Sequence, residues 1–207
     1  MRKLTKALLA VSLLASVPLI AQAESQFTTG STTPITATAR LDFQITVPKI
    51  LFLRVGAGTD FGTSATINQI AFAVPAAQIG NGTAVDATAA SGDQGNGAVT
   101  AKLVGNNGNI SFSSTTLGAL GNGSGDTISY GQINVTSDPG ALPTKLLHPA
   151  LADGATTTLA VAPTSGKVVN SDAKWTYKYN NTALVAPGTY GGVNANNSRV
   201  TYTASMP

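Results

Sequence analysis

The sequence predicts an all-β protein, an antiparallel sandwich or barrel of about nine strands, and three observations carry that expectation. Residues 35–47, ITATARLDFQITV, alternate without a break. Ile35, Ala37, Ala39, Leu41, Phe43, Ile45 and Val47 share one phase, and polar residues fill the other. Side chains on a strand point to opposite faces with period two, so this pattern describes a half-buried strand. No stretch offers the apolar i, i+3, i+4, i+7 spacing of an amphipathic helix over three turns. Short apolar runs instead recur between clusters of Gly, Asn, Asp and Pro, the punctuation of a many-stranded fold.

Taken in order, the chain opens with the grammar of an export signal. Arg2, Lys3 and Lys6 precede an apolar run from Ala7 to Ala21, and Ala21-Gln22-Ala23 forms a small-x-small cleavage site before Glu24. That run is too short to span a bilayer comfortably and no second one follows. Residues 1–23 are therefore expected to be removed, and residues 24–207 to work in the periplasm, at the cell surface or outside the cell, with no integral membrane segment. Residues 24–34 are polar and expected to be flexible, and 35–207 to form a single β-sandwich domain.

After the alternating stretch, Pro48 lacks an amide hydrogen and interrupts pairing. Ile50–Val55 is apolar on both faces and reads as an interior strand. Gly56–Gly62 is a turn, and Thr66–Val74 returns to strand. Residues 80–97 are a Gly-, Asn- and Asp-rich loop. Ala98–Val104 and Asn109–Thr115 look like a hairpin across Gly105-Asn106-Asn107-Gly108. A second glycine-rich loop spans 118–126. Thr127–Thr136 is a strand whose apolar phase slips at Gly131, which suggests a β-bulge. Residues 138–154 hold three prolines and cross the surface, with a short helical turn near Leu146–Ala152. Thr156–Val161, Ala173–Asn180 and Arg199–Ser205 complete the strands.

Composition excludes several functions. The three basic residues of the signal account for the formal charge of +3; the other 9 basic residues balance 9 acidic ones. A neutral mature chain carries no electrostatic footprint for nucleic acid. With no cysteine, zinc–thiolate sites, disulfides and cysteine nucleophiles are excluded, and the fold rests on core burial alone. The one histidine, His148, sits in a proline-rich loop with no positioned nucleophile or orienting acid beside it. It reads as a loop residue. Half of the aspartates lie beside Gly or Pro, as turn residues do. Catalytic residues, cofactors and metals are not expected. GNGSGDTIS at 121–129 is close to the nonapeptide of calcium-binding β-rolls, but it occurs once, and such rolls bind the ion between stacked copies. Trp175, Tyr177 and Tyr179 share one phase of a strand. That is the pattern of a core face, with an exposed sugar-stacking platform as the other reading.

Two segments resemble a known family. Ala37-Thr38-Ala39 running into LDFQITV, followed by GAGTDFG at 56–62, is similar to the opening of chaperone–usher pilins, in particular the spore-coat-U-like branch. Pro187-Gly188-Thr189-Tyr190 and the closing Val200-Thr201-Tyr202-Thr203-Ala204 resemble the family's last turn and strand. The cysteine usual after the first strand is missing, and Met206-Pro207 follows the last one. The resemblance implies an immunoglobulin-like sandwich lacking one strand, completed by a neighbour's N-terminal strand. It implies other fibre subunits or copies of the chain as partners, with a periplasmic chaperone and usher. On that reading the chain is a non-catalytic structural protein assembled by β-strand addition. Leu41, Phe43, Ile45 and Val47 would form the inserted strand, and Val200 and Tyr202 would line the receiving edge. The alternative is a self-contained binding module, for carbohydrate if Trp175, Tyr177 or Tyr179 is exposed.

Overall fold

The computed structural model describes residues 24–31 and 33–207, so the signal-like segment 1–23 lies outside the described residues. The chain divides into two units at Pro48, Met1–Val47 and Pro48–Pro207, where the sequence placed residues 35–207 in one domain.

In the first unit no described residue forms a strand. Three contacts instead step inward by two residues from each side. Arg40 Nε lies 3.8 Å from Glu24 Oε2, the Thr38 amide donates to Gln26 Oε1 at 3.0 Å, and Thr28 Oγ1 donates to the Thr36 carbonyl at 3.2 Å. The apolar phase of the alternation stands in solvent: Leu41 is 65% exposed, Phe43 84%, Ile45 86% and Val47 73%. Alternation assigns faces, but a strand also needs an edge to bond to, and 35–47 has no ladder partner among the described residues.

The second unit is an all-β sandwich. Its strands are β1 (Leu51–Val55), β2 (Val85–Asp86), β3 (Ala98–Gly105), β4 (Ile110–Thr115), β5 (Leu120–Gly121) and β6 (Thr127–Ile128), then β7 (Ile133–Pro139), β8 (Thr144–Lys145), β9 (Thr156–Val161), β10 (Val169–Tyr179) and β11 (Thr201–Ser205). The larger sheet runs β1-β3-β10-β2, with β7 and β8 also paired to β10. All its pairings are antiparallel except β8 on β10. The second sheet is β11-β4-β9, and β5 and β6 form a small ribbon.

The two sheets share one core. Period two sends Val99, Ala101 and Leu103 inward from β3, Ile110 and Phe112 from β4, and Val169, Ala173, Trp175 and Tyr177 from β10. Lys174 and Lys178 take the outer phase of β10. The Trp175 and Phe112 rings stack at a centroid distance of 6.1 Å, and the buried indole N–H donates to the Leu146 carbonyl at 2.9 Å. A buried indole needs such a partner, because an unmade hydrogen bond costs more than the bond contributes.

Four local expectations are corrected. β3 and β4 are not a hairpin: each belongs to a different sheet. The turn between them is tied to other segments. Asn106 accepts from the Ile50 amide at 2.9 Å and donates to the Pro48 carbonyl at 2.8 Å, and the Gly108 amide donates to the Lys167 carbonyl at 2.8 Å. A Cβ on Gly105 would stand 2.8 Å from Ile110 Cδ1, so any side chain where the chain crosses the core would have to displace that buried methyl group. The phase slip near Gly131 comes from a 3₁₀ turn, Tyr130–Gln132, capped by Ser129, and not from a bulge. No helical turn forms at 146–152. Finally, 66–74 carries a single β-bridge, Phe72 to Ala87, in place of a strand.

Candidate strand-binding groove

β1 ends the larger sheet and β11 ends the smaller one, so each leaves a strand edge unpaired in its sheet. Near these edges the core is open. A groove of about 1210 Å³ is lined by Leu53 and Val55 of β1, by Ile67, Ile70, Phe72 and Val74, by Tyr177 and Tyr179 of β10, and by residues 184–194 and 198–202. Leu53, Val55, Ile70, Phe72, Ile133 and Tyr202 pack on the buried cluster while remaining only partly covered. Ile67, Leu184 and Val193 on its rim are 64%, 82% and 78% exposed.

Local structure keeps the groove open. The backbone of 69–71 is held from one side: the Gly92 amide donates to the Gln69 carbonyl at 3.1 Å, the Thr88 amide to the Ala71 carbonyl at 2.8 Å, and the Ala71 amide to Ser91 Oγ at 2.9 Å. Pro75 then interrupts the chain, and the 3₁₀ turn Ala76–Gln78 follows. Asn181, buried and in the left-handed region at φ +53°, gathers the next loop. Its Oδ1 accepts from the Gly80 amide at 2.9 Å and its Nδ2 donates to the Gln78 carbonyl at 2.6 Å.

Under the groove lies a chain of polar atoms. His148 Nε2 is 2.6 Å from Tyr202 Oη, which is 3.0 Å from Tyr177 Oη. The imidazole stands edge-on to Trp175, Tyr177 and Tyr202, with centroid distances of 4.6, 5.6 and 5.4 Å. Burial pushes the imidazole down from its ordinary 6.5 to about 4, against a smaller opposing effect of the Pro149 backbone. Burial likewise pushes the Tyr177 phenol up to about 12 and the Tyr202 phenol well above 10. At neutral pH all three groups are uncharged, and they act as hydrogen-bonding core residues. His148 lies in a loop, as expected, but it is half-buried, with its ring against Trp175, Tyr177 and Tyr202.

Tyr202 and Val200 both line the groove, Tyr202 facing inward from β11 and Val200 just before it. Leu41, Phe43, Ile45 and Val47 belong to the first unit and are exposed. Trp175, Tyr177 and Tyr179 are buried, at 0%, 7% and 5% exposure, so they form the core face and no surface sugar platform. In the calcium-like loop, Asn122 Oδ1 accepts from the Ser124 and Asp126 amides at 2.8 and 3.1 Å, and its Nδ2 donates to Asp126 at 2.8 Å. These side chains are taken up in closing their own turn. Sequence reasoning missed Ile70, Phe72 and Ile133 as groove residues. For Ile70 and Phe72 the signal was the appearance of apolar residues in both phases of 66–74.

No protein-family model, curated protein or solved structure matches the chain.

Proposed function

We propose that the protein is an exported, non-catalytic structural subunit, pilin-like, that assembles by β-strand addition between copies. One observation carries this reading: an apolar-lined groove beside unpaired strand edges occurs in the same chain as an exposed segment with strict apolar alternation. Residues 41–47 of one copy would enter the groove of another. Main-chain hydrogen bonds would supply affinity, and Leu41, Phe43, Ile45 and Val47 would occupy successive positions along it. Burying four such side chains contributes roughly 1.5–3 kcal/mol each, before the cost of ordering the segment.

The sequence resemblance of the two chain ends points the same way and adds a chaperone and usher as assembly partners. The test is size-exclusion chromatography with light scattering, plus unheated SDS gels, on residues 24–207 and on the double variant Phe43→Asp, Ile45→Asp. The expected result is SDS-resistant multimers from the parent and a folded monomer from the variant, whose altered positions are exposed. A parent that stays monomeric, or a variant that multimerises equally well, would sink the reading.

A further inference from the structure

The sequence has one histidine and one tryptophan, and the fold places them edge-to-face, 4.6 Å apart. Around the imidazole converge three separate parts of the sandwich. β10 contributes Trp175 and Tyr177, β11 contributes Tyr202, and β7 contributes Ser137, whose Oγ accepts from the His148 amide at 3.1 Å. The titratable groups facing the ring are the Tyr177 and Tyr202 phenols, and the loop itself adds the Pro149 carbonyl. No carboxylate stands among these groups to compensate a positive charge on the ring.

The hydrogen-bond chain also has a direction. In the neutral ring whose proton sits on Nδ1, Nε2 accepts from the Tyr202 hydroxyl, and Tyr202 Oη can then accept from Tyr177. A second ring proton turns Nε2 into a donor. Tyr202 must then accept from the ring, and the direction of the chain reverses while a cation sits against three aromatic rings. Tyr202 is the contact through which β11 feels this change. β11 is paired on one side only, by five residues to β4, and borders the groove, so it lacks the second ladder that holds β4.

We propose that the His148–Tyr202–Tyr177 chain is an acid-sensitive latch on β11: protonating the imidazole unseats this edge strand, so that the groove loses its grip on an inserted strand. The assignment of the groove's occupant rests on the function proposed above; the latch itself does not.

The sign follows from burial. The unfolded chain takes up the imidazole proton near 6.5, whereas the folded chain holds it off to about 4. The neutral ring's contribution is complete above pH 6.5, falls between 6.5 and 4, and is flat below. Within that window the folding equilibrium shifts by up to tenfold per pH unit.

The experiment is a pH titration of residues 24–207, followed by three signals: the single histidine ring resonance, the single tryptophan emission, and hydrogen exchange of β11 amides relative to β3 amides. It is repeated on His148→Gln, whose side-chain oxygen can still accept from Tyr202 but does not titrate. The expected result is a histidine midpoint near 4 with a matching drop in Trp175 emission. β11 should lose protection before β3, and both the acid slope and the early β11 exchange should vanish in His148→Gln. Multimers of the parent should shed monomers in the same window. A histidine midpoint near 6.5, or β11 and β3 opening together, overturns the latch, and multimers that survive acid while the monomer titrates as expected overturn its control of the groove. If His148→Gln fails to fold, the parent's midpoint and exchange order decide the matter. If the parent never multimerises, the strand-capture function fails while the latch is still judged on the monomer.

Discussion

The two sides of the sandwich are built from the same kinds of residue and end in different states. Beneath Trp175, the side chains of Leu103, Ile110, Phe112 and Val169 are fully buried, because β3, β4 and β10 each have paired neighbours on both sides. At the groove, Leu53, Val55, Ile70 and Phe72 are equally apolar yet only partly covered. The difference lies in the backbone. Where a strand has a neighbour on each side, its inward face is covered by the opposite sheet, and where the sheets stop at β1 and β11 the same face meets water. A hydrophobic core here is completed by strand pairing and not by hydrophobic composition alone.

That contrast can be broken most severely at its closed side. Trp175→Ala is expected to cost about 3–5 kcal/mol, since it leaves a large void and orphans the Leu146 carbonyl. Urea denaturation measures this, and a loss no greater than that of Ile70→Ala would erase the distinction between core and groove. Asn181→Ala should cost about 2 kcal/mol, because it removes hydrogen bonds to the Gly80 amide and Gln78 carbonyl and puts alanine at positive φ. A fall in melting temperature checks it. Ile70→Ala should cost only about 1 kcal/mol in the monomer, because part of the side chain is already in water. In an assembled form the same change should cost more, and equal losses in both forms would mean that nothing fills the groove. Tyr202→Phe is expected at about 1 kcal/mol at neutral pH. It should combine non-additively with Tyr177→Phe, because the two hydroxyls bond to each other. Smallest of all, Lys174→Ala breaks an exposed 3.9 Å ion pair with Asp138 and should cost less than about 0.5 kcal/mol.

Much of the fold was legible where one period ran through one strand. β10 was readable from its aromatic line and β1 from its apolar run, although that run pointed to an interior strand and β1 stands at the edge of its sheet, half covered. The pairing was less legible. β3 and β4 were correctly placed as strands, but the turn between them looks the same whether it closes a hairpin or crosses between sheets. What decides is Asn106 bonding to Ile50 and Pro48, a long-range fact with no local mark. The groove was illegible for the same reason, since its walls come from residues 52–74 and 184–202. Alternation at 35–47 gave the faces of a strand and said nothing about its neighbour. The burial of His148 depends on Tyr177 and Tyr202, which the sequence separates from it by 29 and 54 positions, so a proline-rich loop alone predicts a surface residue.

The turn that links β3 to β4 has one more consequence. Asn106 bonds to the Pro48 carbonyl, while Asn107 Nδ2 and Lys49 Nζ donate to the carbonyl of Pro207. The first and last residues of the sandwich unit therefore meet at one corner. A few linking residues could join position 207 to position 48, and new termini could open in the exposed loop around Gly82. Such a circular permutant would keep every ladder of the sandwich and free the groove from any segment attached at Pro48, offering a clean receptor for strands added in trans. The same proximity means that a bulky tag after Pro207 would crowd the turn between β3 and β4, so affinity handles belong elsewhere on this molecule.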